Sequence, residues 1–214
     1  MNSIYAIFGG SFDPIHYGHL NIINKIIKEI KLKEIIILPN YKPIYRNKSI
    51  TNIIHRIKMI KYAISNQIQY KINLIEVKKK IIFTINTLKI IRSEIGAKKP
   101  IVFIIGEDNL INIQTWKEWN KLLNFCHLII CPRKNNNLKL NQILKKWIQK
   151  NKITNINLLK KSASGYIFFS KINCINISST VIRNMYYQNQ NEKNLVPQKV
   201  LNYIKKHNLY QDPS

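Results

Sequence analysis

Residues 4–20 read IYAIFGGSFDPIHYGHL and combine a short apolar run, a pair of glycines and the start of a periodic apolar segment. This order predicts a buried strand, a tight loop, and a helix that begins near Gly18 or His19. Glycine lets backbone N–H groups approach a ligand closely because no side chain intervenes. A helix that starts beside such a loop adds unpaired N–H groups and a positive dipole end. The stretch therefore predicts an anion-binding loop, with His16 and His19 beside it.

Length and composition set the broad class of protein. The 214 residues suffice for one well-packed domain, and we expect a single domain over residues 1–214. The formal charge of +25 would suggest a nucleic-acid partner, but the lysines are scattered along the chain and a triplet occurs only at 78–80. We interpret most of this charge as solvated surface and a smaller share as the lining of a site for anionic substrates. No nucleic-acid partner is expected.

The cysteines and the apolar runs bear on the cellular compartment. Cys126, Cys131 and Cys174 are odd in number and form no CxxC pair, which argues against a disulfide framework and a structural zinc site. No apolar run reaches the length of a membrane span. These features predict a cytoplasmic protein that does not enter the membrane.

Apolar runs alternate with helical periodicity along the chain, which is typical of an α/β protein with a doubly wound, mostly parallel, Rossmann-like sheet. A small C-terminal helical part follows Pro197. The run at 101–105 is the most apolar and predicts a central strand buried on both faces. The predicted strands are residues 4–8, 34–38, 71–77, 101–105, 127–131 and 166–169. The predicted helices are 20–30, 52–65, 84–95, one around 140–148, one that starts at Ser178 or Ser179, and one from Pro197 to Ile204.

Two of the ten acidic residues follow the predicted central strand directly, in Gly106-Glu107-Asp108. Ligands of doubly wound sheets bind outside the carboxyl ends of the strands, where the strand order reverses. If the first and fourth strands are neighbours, this segment faces the glycine pair across that crevice. Asp108 could then accept hydrogen bonds from ribose hydroxyls, although a helix N-cap is its ordinary alternative.

A second polar segment, Ser178-Ser179-Thr180, opens a predicted helix and is followed one turn later by Arg183. Hydroxyl groups at a helix start cap its N–H groups and offer donors to phosphate, and an arginine can fork onto phosphate oxygens. A cap alone explains the serines equally well. The phosphate interpretation depends on the pairing of this segment with the histidine loop.

Other candidates follow predicted strands. Lys42 and Arg46, in a proline-bearing loop, could reach a phosphate, although a solvated basic loop is an equal alternative. Thr84 is a candidate N-cap. Trp116 and Trp119 are three residues apart, as on one helical face, which is more often core than ligand platform; Trp116 is the candidate for stacking on a flat ring. Arg133 follows the fifth predicted strand on the ligand edge.

The tetrapeptide His16-Tyr17-Gly18-His19 resembles the HxGH signature of nucleotidylyltransferases. Other segments extend the match, and the chain resembles bacterial nicotinate-nucleotide adenylyltransferases over essentially its full length. Those segments are Gly9-Gly10-Ser11-Phe12-Asp13-Pro14, Phe83-Thr84, Ile104-Ile105-Gly106-Glu107-Asp108, Thr115-Trp116, and Ile177-Ser178-Ser179-Thr180 with Arg183. The resemblance implies transfer of the adenylyl group of ATP to nicotinic acid mononucleotide, which yields the deamido dinucleotide and pyrophosphate. It also implies Mg²⁺ bound through the ATP phosphates, with no metal held by protein residues.

The resemblance also implies roles for single residues. His16, His19 and Arg183 would act in catalysis. The implied ATP-binding residues are Gly9, Gly10, Ser11, Phe12, His16, His19, Gly106, Asp108, Ile177, Ser179, Thr180 and Arg183. The implied mononucleotide-binding residues are Tyr45, Arg46, Thr84, Trp116 and Arg133. Tyr45 departs from the family, which usually has histidine there, and tyrosine carries no positive charge near neutral pH.

Two rival functions follow from the same residues. One is another HxGH adenylyltransferase, whose acceptor is the amidated mononucleotide or phosphopantetheine. The other is a basic nucleic-acid-binding module, which would explain the charge but not the glycines, histidines and hydroxyls at strand ends.

Overall fold

The computed structural model of the chain describes residues 3–43, 51–132, 140–175, 177–188, 190 and 195–211. In these residues, seven parallel strands form one sheet of order β3-β2-β1-β4-β5-β7-β6. The strands are β1 Tyr5–Gly10, β2 Ile35–Pro39, β3 Tyr70–Ile72, β4 Ile101–Gly106, β5 His127–Cys131, β6 Lys152–Ile153 and β7 Ile167–Phe169. The prediction of a doubly wound parallel sheet is therefore confirmed.

Helices connect the strands and cover both faces of the sheet. The α-helices are α1 Tyr17–Glu29, α2 Ile53–Ala63, α3 Ile75–Lys78, α4 Thr84–Ile95, α5 Glu107–Ile111, α6 Gln142–Asn151, α7 Leu158–Lys161, α8 Ser179–Tyr187 and α9 Gln198–Lys206. Two 3₁₀ turns, Ile113–Thr115 and Trp119–Asn124, lie between β4 and β5. In the described part of the chain, none of these helices combines the length and the apolar character that a bilayer crossing requires.

The strand order reverses between β1 and β4. β1 pairs with β2 on one side and with β4 on the other, so Phe8 lies beside Ile104 in the register. The glycine pair that ends β1 and the Gly106 that ends β4 therefore emerge side by side at the same edge. This is the crevice at which ligands of such sheets bind.

Alternate residues of the central strands belong to two apolar layers, one on each face of the sheet. Ala6, Phe8 and Ile104 pack in the layer that includes residues of α1, α2, α8 and α9. Ile7 and Phe103 pack in the opposite layer, with residues of α4 and α6. This alternation follows from the two-residue period of strand side chains. Both layers end at the carboxyl edge, where they support the site.

The third strand is shorter than predicted, because it ends at Ile72 rather than at residue 77. The Oδ1 atom of Asn73 accepts a 2.9 Å hydrogen bond from the backbone N–H of Ile75, which turns the chain and starts α3. Local side-chain bonds of this kind compete with strand pairing. The prediction for residues 73–77 is wrong for this reason. The short elements α3, α5, β6 and α7 have no counterpart among the predicted elements.

The two tryptophans do not share a helical face, contrary to the prediction. Trp116 ends the first 3₁₀ turn and Trp119 begins the second, and Glu118 between them adopts a left-handed conformation with φ of 51°. Trp119 packs edge-on against Trp147, with ring centroids 5.2 Å apart. Trp116 is the one of the two that reaches the site.

Two helix starts differ from the prediction. Thr84 is the first residue of α4 rather than its N-cap, and Phe83 holds the cap position with no side-chain cap bond. Pro197 is the N-cap of α9 rather than a residue of its first turn. Ser178, one of the two predicted alternatives, is the N-cap of α8, and its Oγ accepts from the Val181 N–H at 3.2 Å.

Candidate active site

The two histidines of the first loop hold each other in place. His16 caps α1, and its Nδ1 accepts from the His19 backbone N–H at 3.3 Å, while the His19 Nδ1 accepts from the His16 backbone N–H at 3.3 Å. The rings stack with centroids 3.7 Å apart. Because both Nδ1 atoms are acceptors in this network, the hydrogen of each neutral imidazole is assigned to Nε2. The turn therefore carries a hydrogen-bond donor on each of two adjacent rings.

Glycine is required at two positions around this turn. A Cβ at Gly18 would lie 2.9 Å from the His16 ring and 3.1 Å from the Ile177 carbonyl oxygen. A Cβ at Gly9 would lie 2.9 Å from the Phe103 ring. Contacts this short cannot be accommodated without a shift of the rings. The glycines thus permit close approach of the loop to the segment before α8 and to β4.

Residues near the carboxyl end of the chain support the same loop from behind. The Arg183 Nη1 donates to the carbonyl oxygen of Asp13 at 2.7 Å, and the Ser179 Oγ donates to that of Pro14 at 3.1 Å. The Arg183 Nη2 also donates to the Thr180 Oγ1 at 3.2 Å. The structure therefore brings the histidine loop and the hydroxyl cluster together, as a single site requires.

A second arginine, Arg56 of α2, joins the loop to the segment after β2. Its Nη1 donates to the carbonyl oxygens of Ser11 at 2.8 Å and of Asn40 at 2.9 Å, and its Nη2 donates to that of Tyr41 at 3.1 Å. Burial lowers the pKa of Arg56 from its usual value, and the nearby Asp13 opposes that shift. Sequence reasoning missed this residue, since one arginine in a basic helix gives no signal of burial.

Two cavities open at the carboxyl edge on either side of the glycine loop. The histidine-side cavity is lined by Phe8, Gly9, Gly10, Ser11, Phe12, His19, Ile22, Ile105, Gly106, Asp108, Asn109, Cys131, Pro132 and Ser179. The tryptophan-side cavity is lined by Gly9, Gly10, Ser11, Asn40, Lys42, Pro43, Ile82, Phe83, Thr84, Phe103, Ile105, Asn109, Trp116 and Lys117. The residues common to both are Gly9, Gly10, Ser11, Ile105 and Asn109. Two ligands that occupy the two cavities would therefore meet at the glycine loop.

The sequence-predicted residues divide between these cavities. His19, Gly106, Asp108 and Ser179 line the histidine-side cavity, with Gly9, Gly10, Ser11 and Phe12. Thr84 and Trp116 line the tryptophan-side cavity. His16, Ile177, Thr180 and Arg183 are not among the lining residues and border the loop instead. Tyr45, Arg46 and Arg133 fall outside the described residues. The nucleotide contacts predicted for all of these residues remain predictions.

Asp108 occupies the first turn of α5, whose N-cap is Gly106. Its carboxylate lies against Gly106, where a Cβ would collide with its Oδ1. The ordinary alternative for Asp108, a helix N-cap, is therefore not what the structure shows. Asp108 lines the histidine-side cavity, so a hydrogen bond from ribose hydroxyls to its carboxylate remains the prediction to test.

Several lining residues were missed or given no role, among them Asn40, Asn109, Phe103 and Lys117. Asn40 follows β2 directly, so the strand-end rule could have found it. Lys117 had no such signal, because its position depends on the 3₁₀ turn before it. Its Nζ lies 4.8 Å from the centroid of the Phe83 ring. Two lysines, Lys42 and Lys117, and no carboxylate line the described part of the tryptophan-side cavity, which favours an anionic ligand.

Comparison with known proteins places this geometry in a family. The model of the cytidylyltransferase-like family matches residues 7–185. The chain is 51% identical to the "probable nicotinate-nucleotide adenylyltransferase" of Buchnera aphidicola subsp. Schizaphis graminum, over 99% of this chain and 98% of that protein. The chain belongs to the nicotinate-nucleotide adenylyltransferase family. A Yersinia pestis member with the same name is 35% identical over 98% of this chain and 96% of its own length.

Solved structures agree with the fold of this nicotinate-nucleotide adenylyltransferase family member. The Plasmodium falciparum nicotinic acid mononucleotide adenylyltransferase, solved in complex with NaAD, superposes with a TM-score of 0.75. The superposition covers 97% of each chain at 24% identity, so the likeness concerns the fold. The resemblance inferred from the sequence is confirmed by these comparisons.

Proposed function

We propose that this family member transfers the adenylyl group of ATP to nicotinic acid mononucleotide, which yields nicotinic acid adenine dinucleotide and pyrophosphate in NAD biosynthesis. The observation that carries the proposal is the pair of cavities that share the glycine loop. ATP occupies the histidine-side cavity and the mononucleotide the tryptophan-side cavity. Their phosphates then meet at Gly9, Gly10 and Ser11.

The chemical step is an in-line displacement. A phosphate oxygen of the mononucleotide attacks the α-phosphorus of ATP, the new P–O bond forms, and pyrophosphate leaves with the electrons of the broken bond. No covalent enzyme intermediate is needed, so the protein contributes alignment and neutralisation of charge. The His16 and His19 rings donate from Nε2 to phosphate oxygens as negative charge develops.

Arg183, Ser179 and Thr180 serve the triphosphate mainly through the loop. The Arg183 Nη1 and the Ser179 hydroxyl are committed to the carbonyls of Asp13 and Pro14, so these groups hold the loop that carries the histidines. The guanidinium also adds a positive charge next to the loop, and this charge attracts the departing pyrophosphate. Ile177 lies beside this turn, in agreement with a contact to adenosine.

The mononucleotide, which accepts the adenylyl group, is held in the tryptophan-side cavity. Thr84 and Trp116 frame the pyridine ring, and Lys117 and Lys42 supply positive charge for its anionic groups. Tyr45, Arg46 and Arg133 remain predicted contacts of the mononucleotide.

We also propose that Mg²⁺ enters with ATP. Within the described ranges, no three His, Cys, Asp or Glu side chains are grouped closely enough to hold a metal ion. Phosphate oxygens are the hard ligands that Mg²⁺ prefers, and the ion would reduce their negative charge. For location we propose the cytoplasm, since Cys126 and Cys131 are buried thiols outside any disulfide.

The test is turnover by the purified protein of ATP with nicotinic acid mononucleotide, assayed as pyrophosphate and dinucleotide. The same assay is run with the amidated mononucleotide and with phosphopantetheine as acceptors. We expect the highest kcat/KM with nicotinic acid mononucleotide. An equal or higher kcat/KM with another acceptor would overturn the assignment of nicotinic acid mononucleotide as the substrate. Salt-sensitive RNA binding without turnover of ATP would instead support the nucleic-acid-binding rival.

A further inference from the structure

A buried carboxylate, Glu76, lies beneath the tryptophan-side cavity and has no role in the proposed chemical step. It belongs to α3 and is 2% exposed. Burial raises the pKa of Glu76 because desolvation disfavours the charged form, and three hydrogen bonds partly offset this shift. Burial of a carboxyl group costs desolvation free energy, which an apolar side chain at the same position would not cost. The hydrogen bonds of Glu76 are what an apolar side chain could not provide.

The two carboxylate oxygens reach different walls of the cavity. The Asn40 Nδ2 donates to the Glu76 Oε2 at 3.1 Å, and the Thr87 Oγ1 donates to the Glu76 Oε1 at 2.8 Å. Asn40 lines the cavity at the end of β2. Thr87 is fully buried in α4, three residues after the lining residue Thr84, and therefore on the same side of the helix. One carboxylate thus joins the strand wall to the helix wall.

The bond to Asn40 also sets the direction of its amide. The Asn40 side-chain nitrogen points toward Glu76, because its Nδ2 donates to the Glu76 Oε2. The backbone N–H of Asn40 donates to the Gly10 carbonyl oxygen at 3.0 Å, and the Asn40 carbonyl oxygen accepts from Arg56. With both backbone groups and the side-chain nitrogen fixed, the orientation of the remaining Oδ1 is fixed as well.

We propose that Glu76 is a positioning residue for the acceptor: it fixes the Asn40 amide and the first turn of α4, with Thr84, at the spacing the mononucleotide requires. This role rests on the proposed function, because it assigns the acceptor to the tryptophan-side cavity. In the described part of the chain, neither Asn40 nor α4 lines the histidine-side cavity. Loss of Glu76 should therefore weaken acceptor binding selectively.

The test compares Glu76→Met with Glu76→Gln in steady-state kinetics. Methionine keeps the approximate length of the side chain but offers only a weakly accepting thioether in place of the two carboxylate oxygens. We expect Glu76→Met to raise the KM for nicotinic acid mononucleotide roughly tenfold, because the variant loses two hydrogen bonds to the carboxyl group. The KM for ATP should stay within about twofold of the wild-type value. Glutamine keeps an oxygen for Asn40 and a nitrogen that the Thr87 hydroxyl can accept from, so Glu76→Gln should remain within about threefold.

A control separates positioning from general destabilisation. Val200→Ala removes buried volume from α9, lines neither cavity, and should lower the free energy of unfolding without changing either KM. If Glu76→Met does not fold, Thr87→Val is tested instead. Valine exchanges the hydroxyl for a methyl group of similar size, and the variant should raise the acceptor KM about threefold.

The outcomes are distinct. A parallel rise of both KM values, or an unchanged acceptor KM in Glu76→Met or its replacement, would overturn the positioning role. A wild-type protein that neither binds nor adenylates nicotinic acid mononucleotide would instead overturn the proposed function itself. Selective loss of acceptor binding, with ATP binding retained, would support the proposal.

Discussion

The phenol oxygen of Tyr210 donates a 2.7 Å hydrogen bond to the Asp13 Oδ1, across a separation of 197 residues. Both side chains are buried, and the Asp13 Oδ2 accepts a further bond from the Thr51 N–H at 3.3 Å. Burial raises the pKa of Tyr210, with the Asp13 charge as a second cause, so the phenol stays protonated and donates. The segment after α9 thereby supports the loop that carries the histidines.

Tyr210→Phe should lower both stability and activity. The substitution leaves the buried Asp13 carboxylate one bond short, which costs about 1–3 kcal/mol of the free energy of unfolding. We expect kcat to fall as the loop loosens, measured together with urea unfolding. Tyr203→Phe is the matched control, because its half-buried phenol bonds to His55 between α2 and α9 and not to the histidine loop. Equal effects of the two variants would show that the bond to Asp13 has no special importance.

His19→Ala should remove most of the chemical step. The His19 ring lines the histidine-side cavity and carries its hydrogen on Nε2, as a phosphate donor requires. Loss of one such donor typically lowers kcat on the order of 10²–10³-fold. His207→Ala, in which the exposed ring beside Tyr203 is removed, should leave kcat unchanged. Near-normal turnover by His19→Ala would contradict the catalytic role.

Lys117→Met should reduce the preference for the acidic acceptor. Its Nζ lies over the Phe83 ring at the wall of the tryptophan-side cavity, where a carboxylate on a pyridine ring would be attracted. We expect the ratio of kcat/KM for nicotinic acid mononucleotide to that for the amidated form to fall severalfold, and less so at high salt because screening weakens the attraction in the wild type. Lys121→Met, whose ammonium pairs with Glu118, is the control. A constant ratio would exclude this contribution.

Glu76 should make stability depend on pH. Because its pKa is higher in the folded than in the unfolded protein, the folded state binds the proton more tightly. The stabilising contribution is therefore fully present below the unfolded value of about 4.5 and is lost as pH rises through the raised pKa. The groups that bond to it, from Asn40, Thr87 and the Tyr41 backbone, are neutral.

The measurement is urea unfolding across this pH range for the wild type and Glu76→Gln. The difference in free energy of unfolding should shift in favour of the glutamine variant as pH rises, since glutamine does not titrate. A difference that is constant, or that moves in favour of the wild type, would contradict the prediction.

Local sequence signals predicted much of this molecule. Short patterns of apolar residues indicated their elements correctly. The apolar run before Gly9 and Gly10 indicated β1, the periodic residues indicated α1, and the run at 101–105 indicated β4. Errors arose where one local hydrogen bond or one unusual backbone conformation interrupted an element. Asn73 ended β3 early, and the left-handed Glu118 separated two tryptophans that a helix would have aligned. Such bonds and conformations carry no periodicity.

The sequence by itself indicated the strands of the sheet, the glycine and histidine loop, and the family, because each of the segments that carry these signals is a short run of neighbouring residues. Only the tertiary structure decided which polar groups face a ligand and which hold the loop. Arg183 and Ser179 bond to loop carbonyls, and Arg56, Glu76 and Tyr210 serve as buried supports. The physical reason is that a buried polar group must find its partner in space, and those partners lie up to 197 residues away.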